Sequence, residues 1–363
     1  MLILHWKPPQ PIHSFMLILR WTILRPGGLC YPAPERLQWK NRLQHTLLFR
    51  PVGLRVGTRV GTVALAGRAT GGMRDYLELT KPRITWLILM STAIGYFFGL
   101  PDAANWRAFL LGIHAFSLLN TIIGTGLMAS GTAALNQWLE READRQMKRT
   151  SHRPLPSGRM LPNRALIFGV ALSVLGFLEL WLGVNRLAGL IGAFTLASYL
   201  FCYTPLKQRT WWSTTVGAIP GALPPVIGYA AAAGALTREA WVLGAILFLW
   251  QFPHFYAIAW MYKDDYARAG IRMLPVVADA RFTSRQIVLY GMALIPVSLT
   301  PVFLGMSGMI YAAGALLLGL WFLYSGVRVA LERSMIRARA VLLTSVLYLP
   351  LIYGLMLLDR PGL

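Results

Sequence analysis

Asn136, Glu140 and Asp144 stand four residues apart in NQWLEREADRQMKRTSHRPL, the stretch from Asn136 to Leu155. On a helix this spacing puts the three side chains within about 80° of one another and spreads them over about 12 Å. Their acceptor oxygens form a stripe suited to a hard cation such as Mg²⁺, which is held by one or two carboxylates together with waters and phosphate oxygens. Lys148, Arg149, Arg153 and Arg159 follow at once, and cations beside a metal are what a diphosphate needs. The bland reading of such a run is a solvated, salt-bridged loop. Asp144 is expected to be solvated and of little weight in folding.

A second polar constellation closes an apolar stretch, WQFPHFYAIAWMYKDDYARAGIRMLPVV, from Trp250 to Val277. His254 falls inside it after Pro253, and Lys263, Asp264 and Asp265 follow its end. The paired Asp could hold a second Mg²⁺ or the far side of a shared diphosphate. Against this, an Asp pair at a membrane border is often just solvated, and a lone intramembrane His is often a satisfied core residue. Between the two constellations, YTPLKQRT from Tyr203 to Thr210 contributes Lys207 and Arg209.

The elements that must position these groups are membrane helices. Of 363 residues 56% are apolar and 13% charged, and the mean hydropathy is +0.51, far from a soluble domain. The expected fold is all-α, a polytopic bundle of about nine spans of about 17 to 25 residues: Ile84–Leu100, Phe109–Leu135, Ala165–Gly183, Leu187–Tyr203, Thr214–Ala232, Trp241–Met261, Ile287–Leu304, Met309–Val329 and Val341–Leu358. Basic residues gather in alternate connections, those holding Arg141 to Arg164, Lys207 and Arg209, Lys263 to Arg285, and Arg333 to Arg339. The opposite side carries only Arg107, Arg186 and Arg238. The positive-inside rule turns the basic loops, and the N-terminus, toward the cytoplasm. The net charge of +21 therefore reflects topology and anion binding, and no basic aromatic module for nucleic acid is visible.

Residues 1–72 differ, with Lys and Arg throughout, the single acid Glu35, clustered Pro and Gly, and no run long enough to span. An organelle transit peptide would look similar, but Ser14 is the only serine and no clear amphipathic helix is present. This segment is read as a dispensable extension, with residues 73–363 forming the catalytic membrane domain and Met73 the natural start. Cys30 and Cys202 form no CxxC pair, so neither a disulfide framework nor a thiolate metal site is indicated.

Diphosphate chemistry at the mouth of a bilayer-embedded apolar interior implies a substrate with a lipid tail. Metal and bases stabilise the departing diphosphate while the interior holds an isoprenoid and its developing allylic cation, which is prenyl transfer. The segments NxxxExxxDxxMKRTxxRPLPxGR, YTPLKxRTxxxxxxGxxxGAxPPxxGY and WQFPHFYAxAxxYKDDYxxAGIxMLPVV resemble the membrane prenyltransferases typified by 4-hydroxybenzoate polyprenyltransferase, over about Leu77 to Leu358. The PHFYA and AGIRMLPVV pieces resemble the branch that farnesylates heme. The resemblance implies Mg²⁺ as cofactor, and transfer of the farnesyl group of farnesyl diphosphate to the C2 vinyl of heme B with addition of water, in a bacterial inner membrane or a mitochondrial one. A heme A synthase or a terminal oxidase would then be the assembly partner. Carried residue by residue, Asn136, Glu140 and Asp144 match the first metal motif, with Glu140 where Asp is commoner. Lys148, Arg149, Arg153, Lys207 and Arg209 are diphosphate cations, His254 faces heme, and Asp264 and Asp265 are second-site ligands, in a motif shorter than the family's usual Asp repeat.

Three rivals are weaker. A prenyltransferase acting on a quinone precursor or chlorophyllide shares the first motif but not the pieces around His254 and Leu274. A transporter predicts charges within spans and repeat symmetry, whereas apart from His254 and Glu179 the ionisable groups gather at one face. The pattern of a CDP-alcohol phosphotransferase is absent.

Overall fold

The computed structural model describes residues 71–100 and 112–361. Expectations about residues 1–72 other than Gly71 and Gly72, and about Arg107 and Phe109, lie outside them. The described residues form helices only: α1 Met73–Leu79, α2 Pro82–Gly99, α3 Ile113–Leu139, α4 Arg141–Gln146, α5 Pro162–Gly183, α6 Arg186–Ala197, a π-helical segment Ser198–Tyr203, a single turn α7 Thr204–Leu206, α8 Ser213–Ala222, α9 Pro224–Ala233, α10 Arg238–Met261, α11 Lys263–Arg268, α12 Leu274–Val277, α13 Ala280–Phe303, α14 Met309–Glu332 and α15 Met335–Leu358. Local chemistry explains the starts. Pro82 and Pro162 occupy first-turn positions where no backbone N–H is needed. Asn185, Asp279 and Ser334 accept backbone N–H bonds as N-caps of α6, α13 and α15.

Among the described residues eight helices are long and apolar enough to cross a membrane, and the chain is an integral membrane protein. The expected first span forms α2, an 18-residue helix that is not one of these eight. Polar and small residues, Arg83, Thr85, Ser91, Thr92 and Gly95, dilute its apolar character because it packs against protein along much of its length. The expected fourth span runs on through the π segment and α7 to Leu206, and the expected fifth is interrupted at Leu223 between α8 and α9. Pro220 and Pro224 flank that break, and proline in a helix removes a hydrogen bond and clashes with the preceding turn.

Two neighbouring pairings support the site. Helix α3 lies along α5, and α2 lies along α9. In the second pair a Cβ built on Gly95 would fall 1.9 Å from the Pro225 carbonyl oxygen, and one on Gly228 would fall 1.9 Å from that of Thr92. Only glycine lets the two backbones touch, the small-residue packing common between membrane helices. The largest apolar cluster joins α10 to α13, α14 and α15 through residues such as Phe252, Leu294, Phe322 and Tyr348. A smaller one holds α2, α3, α5, α6 and α9 together through Tyr96, Met128, Leu180, Ala188 and Ile227. At the far end Arg360 donates to the carbonyls of Phe97 (2.6 Å) and Leu100 (2.8 Å), so the second residue past the last helix satisfies the C-terminus of α2.

Candidate functional site

The oxygen stripe is real but bent. Helix α3 extends to Leu139, Glu140 sits in a non-helical turn (φ −91°, ψ 5°), and Asp144 lies on α4. The bonds Glu140 N–H to Asn136 O (2.9 Å) and Asp144 N–H to Glu140 O (2.8 Å) keep the four-residue spacing across that turn. Each side chain then has a fixed partner. Asn136, 2% exposed, donates through Nδ2 to Thr204 Oγ1 at 3.2 Å. Glu140 accepts from Lys207 Nζ at 2.7 Å. Asp144, 1% exposed, accepts from Arg153 Nη1 at 2.7 Å. The expectation of a solvated Asp144 is therefore corrected, because the 144–153 turn folds its own guanidinium over the carboxylate.

Lys207 reaches Glu140 because the widened π turn and α7 bring Tyr203 and Thr204 to face the end of α3. Its ammonium lies 4.4 Å from the centre of the Tyr203 ring. Burial acts against the charge, but Glu140 outweighs it and holds the Lys207 pKa well above 10.5.

Lys81, a residue the motif reading missed, completes the cluster. It precedes α2 in a left-handed backbone conformation (φ 49°, ψ 61°) rarely adopted by side chains with a Cβ. Its side chain makes no hydrogen bond or ion pair among the described residues and sits in the field of Arg153, Glu140, Lys207 and Asp144. Burial, reinforced by Arg153, pushes its pKa down to about 8 against the pull of Glu140. Nothing in TKPR announces this role; the sequence clue is only that a lysine interrupts the approach to an apolar helix.

Lys81 also lines the mouth of a cavity of ≈ 160 Å³ whose walls are largely apolar, with Ile84 and Ile88 from α2, Met128 and Ala129 from α3, and Ile227 from α9 among them. The remaining predicted groups lie elsewhere. Lys148, Arg149, Asp264 and Asp265 line a second, more open cleft of ≈ 620 Å³ with Tyr262 and Arg268. There Asp265 accepts the Arg149 backbone N–H at 3.2 Å and pairs with Arg268, while Arg149 donates to Tyr266 Oη at 3.1 Å and lies over the Tyr262 ring. Asp264 and Arg209 are exposed. The loops nevertheless lock together: Arg272 N–H donates to Lys207 O at 2.8 Å, and Ala143 and Met147 pack on Ala269, Ile271 and Met273. Arg159 instead ties α1 down, pairing with Asp75 and with Glu78.

His254 stacks on Trp250 and meets Ser345 through Nδ1 at 2.8 Å. The Ser345 hydroxyl donates to Leu342 O at 2.6 Å, so Nδ1 must donate to Ser345 and Nε2 keeps its lone pair.

A hard cation fits the stripe. Asn136 Oδ1, Glu140 Oε2 and Asp144 Oδ1 take no hydrogen bond among the described residues. Among those residues no group of three or more His, Cys, Asp or Glu could cage a metal by itself. Two carboxylates and an amide completed by phosphate oxygens are the usual Mg²⁺ arrangement.

Comparison with known proteins decides the family. The model of the UbiA prenyltransferase family matches residues 88–349. The chain belongs to the UbiA prenyltransferase family. A protoheme IX farnesyltransferase of Solibacter usitatus is 78% identical over 292 residues, 80% of this chain and 100% of that one. Another, from Koribacter versatilis, is 44% identical over 79% of this chain and 94% of that one. The structure of a digeranylgeranylglyceryl phosphate synthase has the same fold, with a TM-score of 0.64 at 18% identity over 80% of this chain and 99% of that one. So has a UbiA homolog from Archaeoglobus fulgidus bound to GPP and Mg²⁺, with a TM-score of 0.56 at 16% identity over 78% of this chain and 99% of that one.

Proposed function

We propose that this prenyltransferase transfers the farnesyl group of farnesyl diphosphate to the C2 vinyl of heme B, with addition of water, giving heme O and diphosphate. The observation that carries the reading is the meeting of Glu140, Asp144, Arg153, Lys207 and Lys81, from separate segments, at the mouth of an apolar cavity inside a membrane bundle. Relatives bearing the name of this activity, and matching about four fifths of the chain (80% and 79%), support it.

Lys81, Arg153 and Lys207 bind the diphosphate as it arrives, and Glu140 and Asp144 hold two of these cations oriented beforehand. Asn136, Glu140 and Asp144 would hold Mg²⁺, which when bound neutralises charge on the leaving diphosphate. The C1–O bond breaks with its electron pair going to diphosphate, and the Tyr199 and Tyr203 rings beside Lys207 face the allylic positive charge. The vinyl π pair forms the new C–C bond, water adds to the resulting carbocation beside the porphyrin ring, and its proton is lost. The cavity walls keep water from C1 until the acceptor is in place. His254, with Nδ1 held by Ser345, would face the heme either as an iron ligand or as a polar contact. Lys148, Arg149 and Arg209 supply further positive charge along the entry path, and Asp264 with Asp265 is the place for a second ion once Arg268 yields.

The basic loops face the cytoplasm of a bacterial inner membrane, with the N-terminus on that side. A heme A synthase or a terminal oxidase under assembly receives the product. The test is mass analysis of hemes from membranes with and without the chain, supplied with farnesyl diphosphate, heme B and Mg²⁺. Heme O appears only with the chain and is lost on chelation. Absence of heme O, or prenylation of a quinone precursor instead, overturns the reading.

A further inference from the structure

Asn136 has a partner whose own chemistry decides which end of the amide meets it. Its Nδ2 donates to Thr204 Oγ1 at 3.2 Å, and both residues are buried. An amide has a donor end and an acceptor end of almost the same shape. The torsion that exchanges them is broad and roughly two-fold, so sterics alone would let either end face Thr204. A hard cation takes only the oxygen. The orientation of this one side chain therefore decides whether the stripe of Asn136, Glu140 and Asp144 offers a metal two ligand residues or three.

Thr204 carries a single hydroxyl proton, and Oγ1 donates it to the Tyr199 carbonyl at 2.9 Å. The same carbonyl accepts the Thr204 backbone N–H, five residues on, in the pattern of a π turn. With its proton committed there, Oγ1 turns only lone pairs toward Asn136, so it accepts from Nδ2 and cannot donate to Oδ1. The opposite flip would set two acceptor oxygens against each other in a buried place, or draw the hydroxyl proton away from Tyr199. Oδ1 is left without a hydrogen bond among the described residues. Three residues after Thr204, Lys207 meets Glu140 at 2.7 Å. The pairs Thr204–Asn136 and Lys207–Glu140 are thus two rungs between one motif and the other, the first setting an amide and the second a charge.

We propose that Thr204 is a positioning residue for the metal, its hydroxyl holding the Asn136 amide with Oδ1 free for the cation. The proposal rests on the prenyl-transfer reading above and on the Mg²⁺ stripe within it. Thr204 acts through Asn136 and not on the cation itself, in the way that outer partners orient the ligands of other metal sites. Removing its hydroxyl leaves the charge of the cluster unchanged. Affinity for a diphosphate in the absence of metal is therefore expected to stay as it is, which separates Thr204 from Lys207 and Arg153.

Thr204→Val keeps the shape and removes the hydroxyl, whereas Thr204→Ser keeps the hydroxyl. Mn²⁺ binding, read by the electron paramagnetic resonance of the free ion, is measured on the full chain in detergent with a non-hydrolysable farnesyl diphosphate analogue and no heme. Thr204→Val is expected to weaken Mn²⁺ binding about tenfold, the scale of one buried hydrogen bond, with Thr204→Ser within about twofold of wild type. Affinity for the analogue in the presence of a chelator is unchanged in both. Thr204→Ala serves if Thr204→Val does not insert. In an Asn136→Asp background both ends of the side chain are oxygen, so there Thr204→Val should weaken Mn²⁺ by less than about twofold, a dependence that general loosening would not produce. Heme O formation shows the same split: the Mg²⁺ concentration for half-maximal rate rises about tenfold in Thr204→Val while kcat at saturating Mg²⁺ changes little. Unchanged Mn²⁺ affinity in Thr204→Val, equal loss in both backgrounds, or a lowered metal-free affinity for the analogue overturns the positioning. A wild-type chain that binds Mn²⁺ with this dependence on Thr204 but prenylates no heme leaves the positioning standing and overturns the acceptor reading.

Discussion

Asp144 shows how a proposed site residue can also be a structural one. Its carboxylate is buried and paired with Arg153, so Asp144→Ala is expected to cost stability as well as turnover, because removing one partner strands the other charge. Asp144→Asn separates the effects: turnover falls at least about 100-fold while thermal unfolding in detergent shifts by only a few degrees. Near-normal heme O formation by properly inserted Asp144→Asn would remove it from the site. In the proposed reading His254 and Lys207 divide acceptor from donor. His254→Ala is expected to weaken heme B binding about tenfold or more with farnesyl diphosphate affinity nearly unchanged, and Lys207→Ala to do the reverse, each read by titration with heme B and with a non-hydrolysable analogue. Equal loss of both affinities in both variants would mean general disruption. Asn136, Glu140, Asp144, Arg153 and Lys207, which the structure brings together, could be singled out in the sequence because each stands in a spaced motif. The pairings were not: Lys207 is 67 residues from Glu140, and Ser345, which His254 meets, is 91 away, separations that only the folded bundle closes.

At the scale of elements, apolar runs located the membrane helices well because the bilayer demands a length and a composition. The misses are where packing against protein overrides that demand. Helix α2 is diluted with small and polar residues because it lies on α9, and the break at Leu223 serves the cavity, which Pro220, Gly221 and Pro224 line. Gly95→Ala or Gly228→Ala is expected to destabilise the protein by about 1–3 kcal/mol or more, since each new Cβ meets a backbone carbonyl that cannot step aside. Thermal unfolding in detergent measures it, and an unchanged midpoint for both variants would mean that α2 and α9 are not in backbone contact. Activity should fall with stability, because Lys81 stands at the start of α2.

For the whole molecule, the charged loops of three motifs form one polar end of an apolar bundle, and the α2 and α15 ends are joined by Arg360. The catalytic domain is expected to be complete from Met73. Helix α1 starts there, and Asp75 and Glu78 anchor it through Arg159, while the cap that Asp75 gives Gly72 N–H at 3.0 Å is a minor loss. A chain beginning at Met73 should insert and make heme O at a rate within about twofold of the full chain. Failure to make heme O at normal membrane levels would show that the preceding residues are functional. Fold class and one-sided charge were readable from composition and loop pattern; the cavity was not, because a void is a property of side chains from five helices at once.

Lys81 combines a left-handed backbone, an ammonium drawn out of water and, among the described residues, no hydrogen-bond or ion-pair partner. Each is a cost to folding, of order 1–3 kcal/mol for the backbone alone. The ammonium adds to it with a definite sign: its pKa falls from 10.5 to about 8 on folding, so the burden is full below pH 8 and fades as pH rises toward 10.5. Donor affinity runs the other way, weakening as pH climbs through about 8, and Lys81→Arg should remove that pH dependence from the farnesyl diphosphate KM. Lys81→Gly should raise the melting temperature and lower activity together. A screen for thermostability alone would therefore select against the enzyme at this position, and the least comfortable residue of the bundle marks the limit to which its robustness can be raised without giving up the reaction.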